Sequence, residues 1–151
     1  MQIALEEAKL AEKADEVPIG AVLTSPAGEI LAKAHNQTIG LSDPTGHAEI
    51  LALREASKKA MNYRLSNTVM YVTLEPCVMC MGAIIHARIA TLVFGAFDPK
   101  WGACGSLYDL SHDLRLNHQI NVIPGIYEEE CRTMIQTFFK KKRNKTSLPE
   151  K

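Results

Sequence analysis

The sequence lacks a net charge and any long hydrophobic run. Its 17 basic and 17 acidic side chains balance, so the bulk charge gives no argument for a nucleic-acid partner. The longest apolar run, residues 78–85, is much shorter than the roughly 20 residues that a membrane-spanning helix needs. The first residues also lack the basic, apolar and small-residue succession of a signal peptide. These absences predict a protein without membrane association.

Cysteine is scarce as well, with four residues in the chain. Four cysteines without an export signal favour metal binding or free thiols over a disulfide framework, so we expect a cytoplasmic protein. With 46% hydrophobic and 23% charged residues, the composition is ordinary for a globular protein. A chain of 151 residues can bury a sizeable core, and no repeat or linker divides it. We therefore expect a single domain over residues 1–151.

Charge is distributed unevenly between the two ends of the chain. The first sixteen residues contain five acids and two lysines, whereas residues 131–149 contain six basic side chains and no acid. A basic end of this kind is more often a solvated surface than a nucleic-acid contact. Both interpretations of the basic end therefore stay open.

Hydrophobic periodicity predicts helices that alternate with strands after an initial hairpin. Strands that alternate with helices in this way imply a mixed five-stranded sheet between layers of helices, a three-layer α/β/α fold. The predicted helices cover residues 1–15, 47–60, 77–87 and a last segment from about 127, and the predicted strands cover 19–24, 29–35, 68–74, 91–96 and 120–123.

Two short motifs contain the residues best suited to chemistry: His-Ala-Glu at 47–49 and Pro-Cys-Val-Met-Cys at 76–80. One imidazole and two thiolates are typical zinc ligands, and three protein ligands leave the fourth position open, as in catalytic zinc sites. We therefore expect one Zn²⁺ per chain, bound by His47, Cys77 and Cys80. Catalytic zinc lowers the pKa of its water to about 7, and Glu49 is then placed to move protons.

The spacing of these residues restricts their local structure. Cys77 and Cys80 are three residues apart at a predicted helix start, so both thiols lie on one side of that helix. His47 and Glu49 are two residues apart and would point in opposite directions inside a regular helix. They converge only if His47 lies at the helix start, outside regular helical geometry.

Other interpretations of the same residues remain open. A C-x-x-C pair also occurs in redox sites and in structural zinc sites, and a structural zinc needs a fourth protein ligand. Glu49 could instead be a solvated carboxylate that complements the helix dipole. The remaining histidines and cysteines are the candidates for a fourth ligand, although Cys104 and Cys131 are better interpreted as small core residues. These candidates are His35, His86, His112, His118, Cys104 and Cys131.

The H-x-E and P-C-x-x-C pair is the known signature of zinc-dependent nucleobase deaminases, so this part of the assignment is a match to a recognised pattern. The chain resembles the cytidine deaminase-like superfamily and, more closely, the bacterial tRNA-specific adenosine deaminases, which convert the wobble adenosine of an anticodon to inosine. Further matching segments extend along the chain: residues 16–22, 34–36, 43–45, 73–77, 95–96, 105–106, 116–118 and 138–139.

The resemblance implies roles that spacing alone does not. It implies the cytidine deaminase-like fold, zinc bound by His47, Cys77 and Cys80, and proton transfer by Glu49. It also implies that Asn36 contacts the target base, that Asp98 lies near the adjacent sugar, and that a homodimer binds the tRNA anticodon stem-loop. Simpler alternatives are a strand-ending turn at Asn36 and a proline-initiated turn at Asp98.

Two other functions fit the same motifs. A deaminase of a free base or nucleoside, such as guanine or cytosine, would use the same zinc without needing a basic C-terminal helix. A non-catalytic zinc-binding module would need a fourth protein ligand.

Overall fold

The computed structural model describes residues 1–146, with side chains through residue 144. Every predicted helix and strand is present in it, with ends within two residues of those expected, because hydrophobic periodicity and Pro- or Gly-containing turns mark the boundaries. The helices are α1 (Gln2–Lys13), α2 (Ala48–Ala60), α3 (Val78–His86) and α4 (Glu128–Thr146), and the strands are β1 (Gly20–Thr24), β2 (Ile30–His35), β3 (Val69–Leu74), β4 (Thr91–Ala96) and β5 (Asn121–Ile123).

The strands form one mixed sheet in the order β2-β1-β3-β4-β5. β1 runs antiparallel to β2 and β3, whereas β3, β4 and β5 are parallel. Since β3 and β4 are parallel, their carboxyl ends lie at the same edge, where Leu74 pairs with Ala96. The segments after these residues therefore start side by side, and one of them contains the Cys77 motif.

Helices cover both faces of this sheet. α2 and α3 contact each other and enclose the larger hydrophobic cluster, whereas α1 and α4 enclose a smaller cluster that includes Leu5 and Cys131. α1 lies unusually close to β1, since a Cβ on Gly20 would lie 2.0 Å from the carbonyl oxygen of Ala4. Glycine at this position allows the buried residues Ala4 and Ala8 of α1 to pack directly on the sheet.

The last helix buries only part of the apolar face that its sequence predicts, which is formed by Tyr127, Cys131, Met134, Ile135, Phe138 and Phe139. Cys131 and Phe138 are buried, but Tyr127 and Phe139 are 40% and 43% exposed. Periodicity identifies the face of a helix but not how much of it a neighbouring element covers. Within residues 1–146, no helix combines the length and the apolar character that crossing a bilayer requires.

The basic end of α4 contacts the acidic end of α1. Lys141 forms an ion pair with Glu12 at 3.0 Å, and Lys142 forms one with Asp15 at 2.5 Å. Arg132 also forms ion pairs with Glu128 and Glu129, so at least three of the six basic residues counted in the sequence are engaged within the chain. Lys145, another of the six, has a side chain that lies outside the described residues.

Candidate functional site

The start of α2 has the irregular geometry that the His-x-Glu spacing requires. His47 is the N-cap residue, with φ −76° and ψ 149°, and the helix begins at Ala48. The Ala48 N–H donates a hydrogen bond to Oδ1 of Asn36 at 2.8 Å, which fixes this helix start against the end of β2. His47 therefore lies in extended backbone and Glu49 in the first helical turn.

The start of α3 supplies the two thiols. Cys77 is its N-cap residue and Cys80 lies in its first turn, fully buried. Nδ1 of His47 is 3.8 Å from Sγ of Cys77 and 3.6 Å from Sγ of Cys80. The three ligand atoms all lie within 4.8 Å of one another, and no fourth His, Cys, Asp or Glu of the described residues joins the cluster.

This geometry fits a zinc ion. Zinc bonds of about 2.3 Å to sulfur and 2.0–2.1 Å to nitrogen, at tetrahedral angles, separate the sulfur and nitrogen atoms by about 3.6 Å. The separations of 3.6 and 3.8 Å between Nδ1 of His47 and the two sulfur atoms agree with that value. The donor set is thus spaced for zinc, with one tetrahedral position not supplied by the cluster.

The electrostatics of the cluster favour a thiolate. A hydrogen bond from the Cys80 thiol lowers the pKa of Cys77 to about 4, with a further contribution from His47. The same hydrogen bond raises the pKa of Cys80, and the contact with Cys77 raises the pKa of His47. Cys77 is therefore deprotonated at neutral pH, and the thiolate is the form that binds a metal ion.

Glu49 is a buried carboxyl group beside this cluster. Its residue is 4% exposed, and its Oε2 atom has no hydrogen-bond partner among the described residues. Burial raises the pKa of Glu49 to about 7. A buried polar atom without a partner is uncommon and indicates a missing group at the site. A carboxyl group with a pKa near neutrality can both accept and donate a proton there.

A second buried carboxylate, Glu75, ties the segment before Cys77 to the loop after β4. It accepts hydrogen bonds of 3.0 Å from the N–H groups of Asp98, Cys104 and Ser106, and another from the Ser106 hydroxyl. Gly102 lies against this carboxylate, where a Cβ would be 2.4 Å from its oxygen. Glu75 therefore fixes the loop of residues 98–106 beside the cysteine ligands.

A third buried carboxylate, Glu16, fixes the segment before His47. It accepts hydrogen bonds from the Thr38 hydroxyl at 3.0 Å and from the N–H groups of Ile39 and Gly40 at 2.8 and 2.7 Å. Sequence reasoning assigned no role to Glu16 or Glu75. Most of their partners are backbone N–H groups more than twenty residues away, so no local spacing pattern reveals them.

Asn36 and Asp98 lie near the site without belonging to the cluster of ligand atoms. Asn36 is 4% exposed; its Oδ1 binds the start of α2, and its Nδ2 has no hydrogen bond within the described part of the chain. Oδ1 of Asp98 accepts from the N–H groups of Lys100 and Trp101 at 3.0 and 3.2 Å, which forms the turn that was the simpler alternative. Their contacts with a base and a sugar stay predictions.

The other two cysteines are core residues, as their sequence positions indicated. Cys104 is 7% exposed and Cys131 is 1% exposed, and both are free thiols. Burial raises the pKa of each to about 11, so neither is a thiolate at neutral pH. Neither thiol joins the cluster around His47.

Known proteins are similar to this chain along nearly its whole length. The cytidine and deoxycytidylate deaminase zinc-binding region matches residues 1–96. The chain is 49% identical over 148 residues to a tRNA-specific adenosine deaminase of Haemophilus influenzae, which covers 98% of this chain and 86% of that protein. It is 47% identical over 151 residues to one of Bacillus subtilis, which covers all of this chain and 93% of that protein.

A solved structure gives the same fold. It comes from studies of A-to-I editing by tRNA:A34 deaminases at the wobble position of transfer RNA. It is 43% identical to this chain with a TM-score of 0.85, over 89% of this chain and 96% of the other. The predicted cytidine deaminase-like fold is thereby confirmed, and zinc is the cofactor of the matched region. The chain belongs to the family of tRNA-specific adenosine deaminases, zinc enzymes with the cytidine deaminase fold.

Proposed function

We propose that this protein hydrolyses adenosine to inosine at the wobble position of a tRNA anticodon. The observation that carries the proposal is the pairing of a three-ligand cluster with a zinc-compatible spacing and a buried, unpartnered Glu49 oxygen. Relatives of 49% and 47% identity that are named tRNA-specific adenosine deaminases support the choice of substrate. The products of this reaction are inosine in the RNA and ammonia.

His47, Cys77 and Cys80 hold one zinc ion per chain in this proposal. The short separations between their ligand atoms support it, as does the thiolate state of Cys77. Zinc with one position free of protein lowers the pKa of a water molecule to about 7 and so supplies a nucleophile at neutral pH. The three side chains are fixed by two helix starts, so little rearrangement is needed to bind the ion.

Glu49 moves the protons. As water attacks the base, Glu49 would accept one water proton and deliver it to a ring nitrogen. It would then take the remaining proton from the added hydroxyl and deliver it to the amino group, which leaves as ammonia while the carbonyl of inosine forms. Burial raises the pKa of Glu49 to about 7, so its carboxyl group can both accept and donate a proton at neutral pH. Glu49 lies in the first turn of α2, two residues after His47, and this position places its carboxyl group beside the ligand cluster.

Asn36 and Asp98 bind the substrate in this proposal. The Nδ2 group of Asn36 is a hydrogen-bond donor without a partner in residues 1–144, next to the start of α2, and suits an acceptor on the target base. Asp98 uses Oδ1 for its turn and is half-buried, so its Oδ2 atom suits a ribose hydroxyl. A base in an anticodon loop is extruded at less cost than one in a duplex, which fits a buried site.

The remaining parts of the proposal concern assembly and location. We infer a single deaminase domain that forms a homodimer and acts on tRNA in the cytoplasm. The continuous sheet and the relatives of similar length support the single domain. Residues 147–151 lie outside the described residues.

Incubation with total tRNA, followed by nucleoside analysis, tests this function. The expected result is inosine in the tRNA treated with the wild-type protein and none with Glu49→Ala. Release of ammonia from free guanine or cytosine, without inosine in tRNA, would instead establish the free-base alternative. A protein with full zinc and no activity on either substrate class would indicate a binding module.

A further inference from the structure

The only tryptophan in the sequence, Trp101, is 69% exposed. Tryptophan is highly buried on average, and exposing its ring forfeits a large amount of apolar burial. Trp101 lies in the loop of residues 98–106 and makes no ring contact with another aromatic or cationic side chain of the described residues. The indole is therefore available to a partner outside the chain.

The backbone beneath Trp101 is firmly held. The Trp101 N–H donates to Oδ1 of Asp98, and the Asp98 N–H donates to the buried Glu75 carboxylate. The next residue, Gly102, forms an antiparallel bridge with Cys77. A bridge brings paired Cα atoms within about 5.5 Å, so the Cα of Trp101 lies within about 9 Å of that of Cys77. An exposed aromatic ring is thus held on a fixed loop beside the proposed zinc site.

Lys100 adds a positive charge next to this ring. It is exposed, and its ammonium group forms no ion pair with any described residue. An aromatic ring beside a cation is the combination by which proteins bind single-stranded nucleic acids, with the ring stacked on a base and the cation near the backbone. Because the ring and the Lys100 ammonium group lie beside a site that acts on a nucleobase, we favour an RNA partner over a peptide.

We infer that the indole of Trp101 stacks on the nucleobase adjacent to the target adenosine in the anticodon loop. This inference rests on the proposed function and assigns a subsite that its zinc chemistry does not need. Stacking holds the neighbouring nucleotide while the target base is extruded toward His47 and Glu49. Alanine substitutions of stacking residues indicate a loss of affinity of about 5- to 150-fold.

The single tryptophan permits a direct test, because all tryptophan emission comes from this ring. The Glu49→Ala protein is titrated with an anticodon stem-loop RNA, and tryptophan fluorescence is recorded without turnover. Two further RNAs carry an abasic nucleotide on the 5′ or the 3′ side of the target. We expect the unmodified RNA to change the emission and one of the abasic RNAs to lose that change. Filter binding, which does not need a tryptophan, measures the affinity of the Trp101 variants. By that measurement Trp101→Ala should bind the unmodified RNA about 5- to 150-fold more weakly, and the loss should be much smaller for that same abasic RNA.

Two variants calibrate the test. Trp101→Phe retains a smaller ring and should recover part of the affinity. Tyr63→Ala removes another aromatic ring, which is 65% exposed. Tyr63 comes shortly after the C-terminal end of α2, and that end lies about 20 Å from His47 at the start of the helix. It should leave both affinity and inosine formation unchanged. Both positions are exposed, so neither variant should alter folding.

Each other outcome overturns the inference. If the wild-type protein forms inosine, but RNA leaves the emission of Glu49→Ala unchanged and Trp101→Ala binds RNA as tightly as the protein with Trp101, the proposed function stands and Trp101 has no stacking role. Equal emission changes with all three RNAs would exclude the neighbouring base as the partner. A concentration-dependent blue shift without RNA would show that a second copy of the chain covers Trp101. Absence of both RNA binding and inosine would overturn the proposed function as well.

Discussion

Glu75→Gln should destabilise the protein although the substitution preserves the size of the side chain. Oε1 of Glu75 accepts from the N–H groups of Cys104 and Ser106, and Oε2 accepts from the Asp98 N–H and the Ser106 hydroxyl. The amide oxygen of glutamine can replace only one of these oxygens. Its NH₂ group then faces at least one N–H donor, which is left without an acceptor in a buried site.

The magnitude follows from the number of bonds affected. A buried N–H group that loses its acceptor costs about 1–3 kcal/mol. The amide oxygen of glutamine keeps two of the four hydrogen bonds, and each of these weakens by about 1 kcal/mol because the acceptor no longer carries a charge. The free energy of unfolding should therefore fall by about 3–5 kcal/mol. For a chain of this size, each kcal/mol lowers the melting temperature by about 2–4 °C, so a decrease of about 6–20 °C is expected.

Thermal unfolding of the zinc-loaded protein measures this effect. Glu55→Gln is the matched control, because the Glu55 side chain is 42% exposed and its one ion pair among the described residues is with Lys59 on α2. Its loss should change stability by less than about 0.5 kcal/mol. A melting temperature of Glu75→Gln within about 2 °C of the wild type would refute the role assigned to this carboxylate.

Three further predictions concern the metal and the RNA. The Cys77→Ser, Cys80→Ser double variant should purify without zinc and without activity, and full zinc in metal analysis would show that the ligands are different. Removal of zinc by a chelator should abolish inosine formation, zinc addition should restore it, and activity that survives complete removal would contradict a zinc-dependent reaction. Lys140 is exposed and forms no ion pair in the described region, so it is free to contact an RNA phosphate. If Lys140 contacts a single-stranded phosphate, Lys140→Ala should reduce the slope of log affinity against log salt concentration by about 0.7. An unchanged slope would leave the basic end as a solvated surface.

Much of the fold followed from the sequence because periodicity and turn residues mark each element. The unusual position of His47 was also predictable, since only an extended N-cap residue lets it converge with Glu49 two residues later. The order of the strands was not predictable in this way, because it depends on packing between distant segments. The ion pair of Lys141 with Glu12 spans 129 residues and was likewise hidden, although the opposite charges of the two chain ends were visible.

The supporting carboxylates show a more general limit. Glu16 and Glu75 look like ordinary acidic residues in the sequence, and their hydrogen bonds to remote backbone N–H groups appear only in the fold. The metal ligands were predictable because zinc requires particular side chains at short spacings. Residues that position a loop have no comparable chemical requirement, so spacing does not reveal them.

The most direct test of the account is to measure zinc content and inosine formation on one preparation of Glu49→Ala. The account predicts about one zinc per chain, as in the wild type, because Glu49 lies outside the ligand cluster. It predicts that activity on an anticodon stem-loop falls by about 100- to 10,000-fold or more, because the proton-transfer group is absent. Glu49→Ala that lacks zinc, or that keeps near-normal activity, would contradict the assignment of Glu49 as the proton shuttle beside a three-ligand zinc.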